Sequence, residues 1–140
     1  MANEAVLLFE TEPPIPFTVA NAGAHEKGAL MKLLDPMTAS GSNLNGSPTA
    51  GIVAVEKIAN NGKVKVSIYR RGIFKMTASG AINIGEPIMA GTTTNPNVIS
   101  VANLLNLSGA RIIGHALETA ADGETLAVAL DVGAGSTGSA

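Results

Sequence analysis

Apolar and polar positions alternate with period two in several short stretches. Val64, Val66 and Ile68 interleave with Lys63, Lys65, Ser67 and Tyr69, and Leu126, Val128, Leu130 and Val132 repeat the pattern further on. Successive side chains of a strand point to opposite faces, so each stretch predicts a strand with one core face and one wet face. Asn61-Gly62 precedes the first alternation and Asp122-Gly123 the second. Both dipeptides tolerate the positive φ angles of a two-residue type I′ turn, which predicts a β-hairpin at each place. Gly28–Leu34, Gly51–Val55, Ile73–Met76, Gly85–Ala90 and Asn97–Val101 supply further short strands, the last two around a turn at Thr92–Pro96. Arg111–Ala121 fits either period, because Ile112, Ile113, Ala116, Leu117 and Ala120 also form a helical stripe. We read it as a strand, because Asp122-Gly123 and a clean alternation follow it.

The chain also echoes itself. Gly28-Ala29-Leu30-Met31, Gly51–Glu56, Asn61-Gly62 and Val64–Ile68 have counterparts in Gly85-Glu86-Pro87-Ile88, Gly114–Glu118, Asp122-Gly123 and Leu126–Leu130. The spacing drifts too much for a solenoid and suits two pseudo-equivalent halves. The expected fold is therefore all-β: one compact domain, a sandwich or barrel-like arrangement of short strands. Residues 28–132 would form it, with an extended Pro-rich arm over residues 1–27 and a flexible Gly/Ser tail over 133–140. Pro13, Pro14 and Pro16 lack amide donors, which keeps Glu10–Pro16 out of any central strand. Val6–Phe9, Ile15, Phe17 and Val19 are apolar beyond the needs of an idle tether, so the arm is expected to be ordered on a neighbour, burying Phe9 or Phe17 there.

A length of 140 residues suits one domain, and Val, Ile, Leu and Phe at 36 of them suffice for a core. Charged residues are only 14% against about 25% in an average soluble domain, and the net charge is -2. Such a surface repels its own copies poorly, which favours coverage by a partner or by other subunits. No purely apolar run is longer than the five residues of Ala5–Phe9, far short of a membrane span, and the absence of Lys or Arg before Lys27 disfavours a secretory leader. Nine basic against eleven acidic residues argue against nucleic acid as partner.

Chemistry is scarce. With no cysteine there is no thiolate nucleophile and no cysteine zinc or iron-sulfur site. His115 and Glu118 would face opposite sides of a strand, and His25-Glu26 offers no better pair of ligands. Gly133–Gly138 matches G-x-G-x-x-G in spelling but lacks the following helix and acidic residue of a dinucleotide site. We expect no enzyme and no cofactor. The one charge cluster is Lys63, Lys65, Arg70, Arg71 and Lys75, five of the nine basic residues, which suits an acidic complement on another protein.

The segments Gly51–Glu56, Arg71–Phe74, Ala81–Ile88 and Ile112–Glu118, followed by acidic-Gly-Glu at Asp122–Glu124 and an alternating strand, give the chain a family resemblance. It resembles the capsid cement, or head decoration, proteins of tailed phages over about Gly28–Val132. The resemblance implies a small β-rich structural virion protein, made in the host cytoplasm. It would bind the outside of an icosahedral head and stabilise the lattice, commonly as a homotrimer on the major capsid protein, with no catalytic residues. Phe9, Pro13, Pro14, Ile15 and Phe17 of the arm, with Lys63, Lys65, Arg70, Arg71 and Lys75, are the expected interface. The alternative is a β-sandwich module recognising carbohydrate or a host surface, against which count only four aromatic residues and no Trp.

Overall fold

The structure is a computed structural model that describes residues 5–41, 49–90, 99–101 and 112–132. Among them, eleven strands run in the order β1 Val6–Phe9, β2 Ile15–Thr18, β3 Leu30–Leu34, β4 Thr38–Ser40, β5 Thr49–Val53, β6 Lys65–Tyr69, β7 Arg71–Thr77, β8 Pro87–Ala90, β9 Ile99–Val101, β10 Gly114–Ala116 and β11 Thr125–Asp131. No helix occurs among the described residues, so the ambiguous stretch after residue 111 resolves as strand β10 followed by a loop. Its helical stripe fails because Ile112, Ile113 and Ala116 are buried within a sheet while Leu117 faces out.

The two halves are built alike. Strands β2-β4-β3-β5-β6 close a barrel, and the second half forms a sheet in the order β1-β7-β11-β10-β8-β9. Matching β2 with β7, β3 with β8, β4 with β9, β5 with β10 and β6 with β11 gives the same neighbours in both. The closing contacts match too: β2 meets β4 in parallel at Thr18–Thr38, and the end of β7 meets β9 in parallel at Ala78–Ile99. Single antiparallel bridges, His25–Lys57 and Ile82–Ala120, occupy equivalent places. β1 has no counterpart; it leaves the first half and pairs antiparallel with β7, Val6 opposite Lys75 and Phe9 opposite Ile73.

A glycine fixes a close strand contact in each half. Gly51 on β5 has φ +146° and Gly114 on β10 has φ +157°. A Cβ at Gly51 would collide with the Tyr69 carbonyl oxygen, and one at Gly114 with the Ala129 carbonyl oxygen. Only glycine lets these strands press so closely on β6 and β11.

The turns differ from expectation. Asn60 is left-handed at φ 58° and Gly62 has φ 83°, but Asn61 between them is not left-handed, so no type I′ turn forms. Residues 54–64 swing away instead, because Asn21 captures their amides: Asn60 N–H donates to its carbonyl at 2.8 Å and Gly62 N–H to its Oδ1 at 2.7 Å. Val64 is consequently half-exposed, off the core face that Val66 and Ile68 share. At Ala121–Glu124 only Gly123 is left-handed, and Glu124 N–H donates to the Ala121 carbonyl, a type II turn. Asn83–Glu86 repeats it around Gly85. In both turns the closing glutamate reaches back, Glu124 Oε1 accepting from Ala121 N–H at 2.7 Å and Glu86 Oε1 from Asn83 N–H at 2.6 Å. That is the physical content of the two Gly-Glu pairs in the sequence.

One apolar cluster gathers Phe74, Met76, Ile88, Ile113, Leu126 and Val128 of the second half, together with Leu30 and Ile52 of the first. The other fills the first barrel with Phe17, Met31, Val53, Val66 and Ile68. Leu30 and Ile52, contributed by the first half to the second half's cluster, therefore tie the halves together. Expected segments at residues 42–48, 92–96 and 133–140 lie outside the described residues.

Gly51→Ala and Gly114→Ala should each destabilise the fold by about 3 kcal/mol or more, through backbone collision. Gly62→Ala, with open space at its Cβ, should cost about 1 kcal/mol. Chemical denaturation of the three variants checks the contrast.

Candidate interaction surface

The stretch expected to form an arm runs as β1 and β2, both paired within this chain. Phe17 lies inside the first barrel at 3% exposure, so its ring is spent on its own core and is not offered to a neighbour. Ile15 is half-buried against that core, Pro14 is half-exposed, Pro13 is exposed, and Phe9 stands out at 67%. Pro16 sits in β2, between β6 and β4 of the closed barrel, although its missing amide was expected to keep this stretch out of any central strand. The reason is the direction of its nitrogen. Thr18 N–H donates outward to the Met37 carbonyl, whereas Val19 N–H donates inward to the Val64 carbonyl beside β6. Amide directions alternate along a strand, so the nitrogens of Pro14 and Pro16 point outward with that of Thr18, and the β6 ladder loses no donor.

The basic residues do not converge on one point. Lys63 and Lys65 are exposed at the start of β6 and line a small cleft with Val55, Glu56 and Ser67. Arg70 is half-buried; its guanidinium donates to the Ala50 carbonyl at 3.1 Å and lies 6.0 Å from the Phe17 ring centre. Arg71 pairs with Asp131 at 3.0 Å in an exposed ion pair of small energetic worth. Lys75 is exposed on β7, opposite Val6 on one side and Ala127 on the other. Spacing along the chain had suggested a single patch, but Arg70-Arg71 begins a new strand and carries Lys75 into the other sheet.

Exposed apolar residues are the clearer signal. Val6, Leu8 and Phe9 are 54%, 43% and 67% exposed on β1, the outermost strand of its sheet. A cleft of about 450 Å³ runs beside them, lined by Ala5, Val6, Leu7 and Lys27 with Tyr69 and Phe74. Tyr69 meets Phe74 edge to face and donates its hydroxyl to Glu10 at 3.0 Å. Its pKa is raised, first by burial and then by the Glu10 carboxylate.

Sequence reasoning missed Lys57. It is 2% exposed, and its Nζ donates to the carbonyls of Asn21, Gly23 and Ile58 at 2.8, 2.9 and 3.2 Å. Three acceptors satisfy all three donors of the ammonium and clip the loop after β2 to the loop before β6. Only the internal echo could have flagged it, since Ala120 holds the equivalent bridge position. His25 pairs with Lys57 through the backbone, and its pKa is lowered, first by burial and then by the nearby Lys57 charge. Among the described residues no three His, Asp or Glu side chains are grouped to hold a metal ion.

No known protein family matches the chain, and no curated protein matches it. Among solved structures, the chain is similar to the N base of head fiber gp8.5 of bacteriophage phi29. The TM-score is 0.51 at 17% identity, over 84% of this chain and 93% of that one. At such identity the likeness is one of fold.

Lys57→Met should destabilise the protein by about 1–3 kcal/mol, because three part-buried carbonyls lose the donor that clips the two loops together. His25 binds its proton less readily folded than at its ordinary value of 6.5, so the unfolded chain protonates first. Stability should therefore fall as pH drops through 6.5, the loss being complete below the folded pKa. His25→Asn should flatten that part of the stability-pH profile, measured by thermal melts.

Proposed function

We propose that the chain is a non-enzymatic structural protein of a phage virion, which binds the outer surface of an icosahedral head and stabilises the lattice. The observation that carries the reading is the likeness of 84% of the chain to the N base of a phage head fiber protein. The resemblance of its Gly-Glu turns and strands to head decoration proteins points the same way. So does a weakly charged surface carrying an exposed apolar strand.

The partner is the major capsid protein, and the working unit is a homotrimer touching several capsid subunits at once. Simultaneous weak contacts raise avidity by roughly 10²–10⁴ over one contact when geometry allows them together. A ligand that binds only the assembled lattice then opposes its rupture by mass action. Phe9 and Pro13, with the exposed Lys63, Lys65 and Lys75, are the side chains of the expected interface available for this; Lys63 and Lys65 suit an acidic patch on the shell.

Purified protein added to undecorated heads should co-sediment with them to saturation and raise the temperature at which they release DNA. Lys63→Glu with Lys65→Glu should weaken that binding by tenfold or more, with the melting temperature of the free protein little changed. Absence of saturable binding to heads would overturn the reading.

A further inference from the structure

The two halves present equivalent strand edges, and the sequence treats them differently. The inward bonds Val19 N–H to the Val64 carbonyl and Ala78 N–H to the Glu124 carbonyl match β2 to β7 residue by residue, so that Pro14 and Pro16 correspond to Ile73 and Lys75. On β7 those two positions hold the outward amides of an open edge, and β1 lies there. On β2 both outward nitrogens are proline and cannot donate to an added strand. One edge is sealed and the other takes a strand.

Among the described residues, that strand is the new edge. β1 reads Val-Leu-Leu-Phe, with no proline and no charge, and three of its four side chains are exposed. Sealing one edge by chemistry while leaving its apolar counterpart open is how a sheet reserves one side for pairing.

We propose that the edge of β1 facing away from β7, open from Val6 to Phe9 beyond the Ala5 amide that the Gly28 carbonyl holds, pairs with β1 of a second copy of this chain, antiparallel about a two-fold axis, to join two sheets into one. The sequence of β1 complements itself in that arrangement. Centring the axis between Leu7 and Leu8, at the irregularity where β1 carries one residue more than β7, sets Val6 opposite Phe9 and Leu7 opposite Leu8, apolar against apolar. Glu10 then falls opposite Ala5 and not opposite its own copy. It also approaches the end of the partner strand where Lys75 sits opposite Val6 and Lys27 lines the cleft with Ala5. Acid therefore meets base at both rims. A contact of this symmetry pairs two molecules, or links two trimers, and stands whether or not the protein binds a phage head.

Sedimentation equilibrium of the free protein tests it. The intact chain should associate reversibly, and Leu8→Arg, at an exposed position, should weaken association tenfold or more while leaving the melting temperature unchanged. Because the chain has no cysteine, Val6→Cys with Phe9→Cys gives a clean second readout. The two positions are too far apart in one extended strand to bond each other, and mild oxidation should yield a single covalent dimer. Pro14→Val with Pro16→Thr should open the sealed edge and produce species larger than the intact protein forms. A monomer at all concentrations, an unchanged Leu8→Arg variant, or an oxidised ladder in place of one dimer would each overturn the proposal.

Discussion

An unpaired strand edge is the constraint on which this molecule turns. Every strand carries amides and carbonyls along both sides, and leaving a side open invites another strand. The first half answers by closing its barrel with the parallel contact between Thr18 and Thr38. The second half closes through Ala78 and Ile99. Closure leaves an exposed shoulder on β2 and another on β7. Proline silences the first shoulder and β1 covers the second, so the unspent edge of the second sheet beside β7 belongs to β1.

Much of this was legible in the sequence. The all-β class and the doubled plan could be read from alternation and from repeated glycines, since Gly51 and Gly114 do the same steric work in both halves. Turn type was not legible, because it depends on what competes for the amides. Asn21 pulls Asn60 and Gly62 away from hairpin geometry, and nothing local to Asn-Gly announces that. Phe17 looked available beside three prolines, but whether a proline strand is inside or outside a barrel depends on which way its nitrogens face. Lys57 was invisible for a similar reason: two of its three carbonyl partners come from a loop more than thirty residues away.

The fold and the proposed role fit each other. A closed barrel and a six-stranded sheet are tied together by Leu30 and Ile52, which the first half contributes to the second half's core. The molecule can therefore present β1 and the Lys63–Lys65 rim in fixed relation, which simultaneous contacts with a lattice require. The low charge that leaves such a surface prone to association in free solution is no burden on a protein that works while covered.

Hydrogen exchange of the backbone amides, compared between dilute and concentrated protein, tests the edge account most directly. The account predicts slowed exchange confined to residues 6–9 on concentration, with residues 15–18 unchanged because their outward nitrogens at Pro16 have nothing to donate. Protection gained on β2, or none gained on β1, would contradict it.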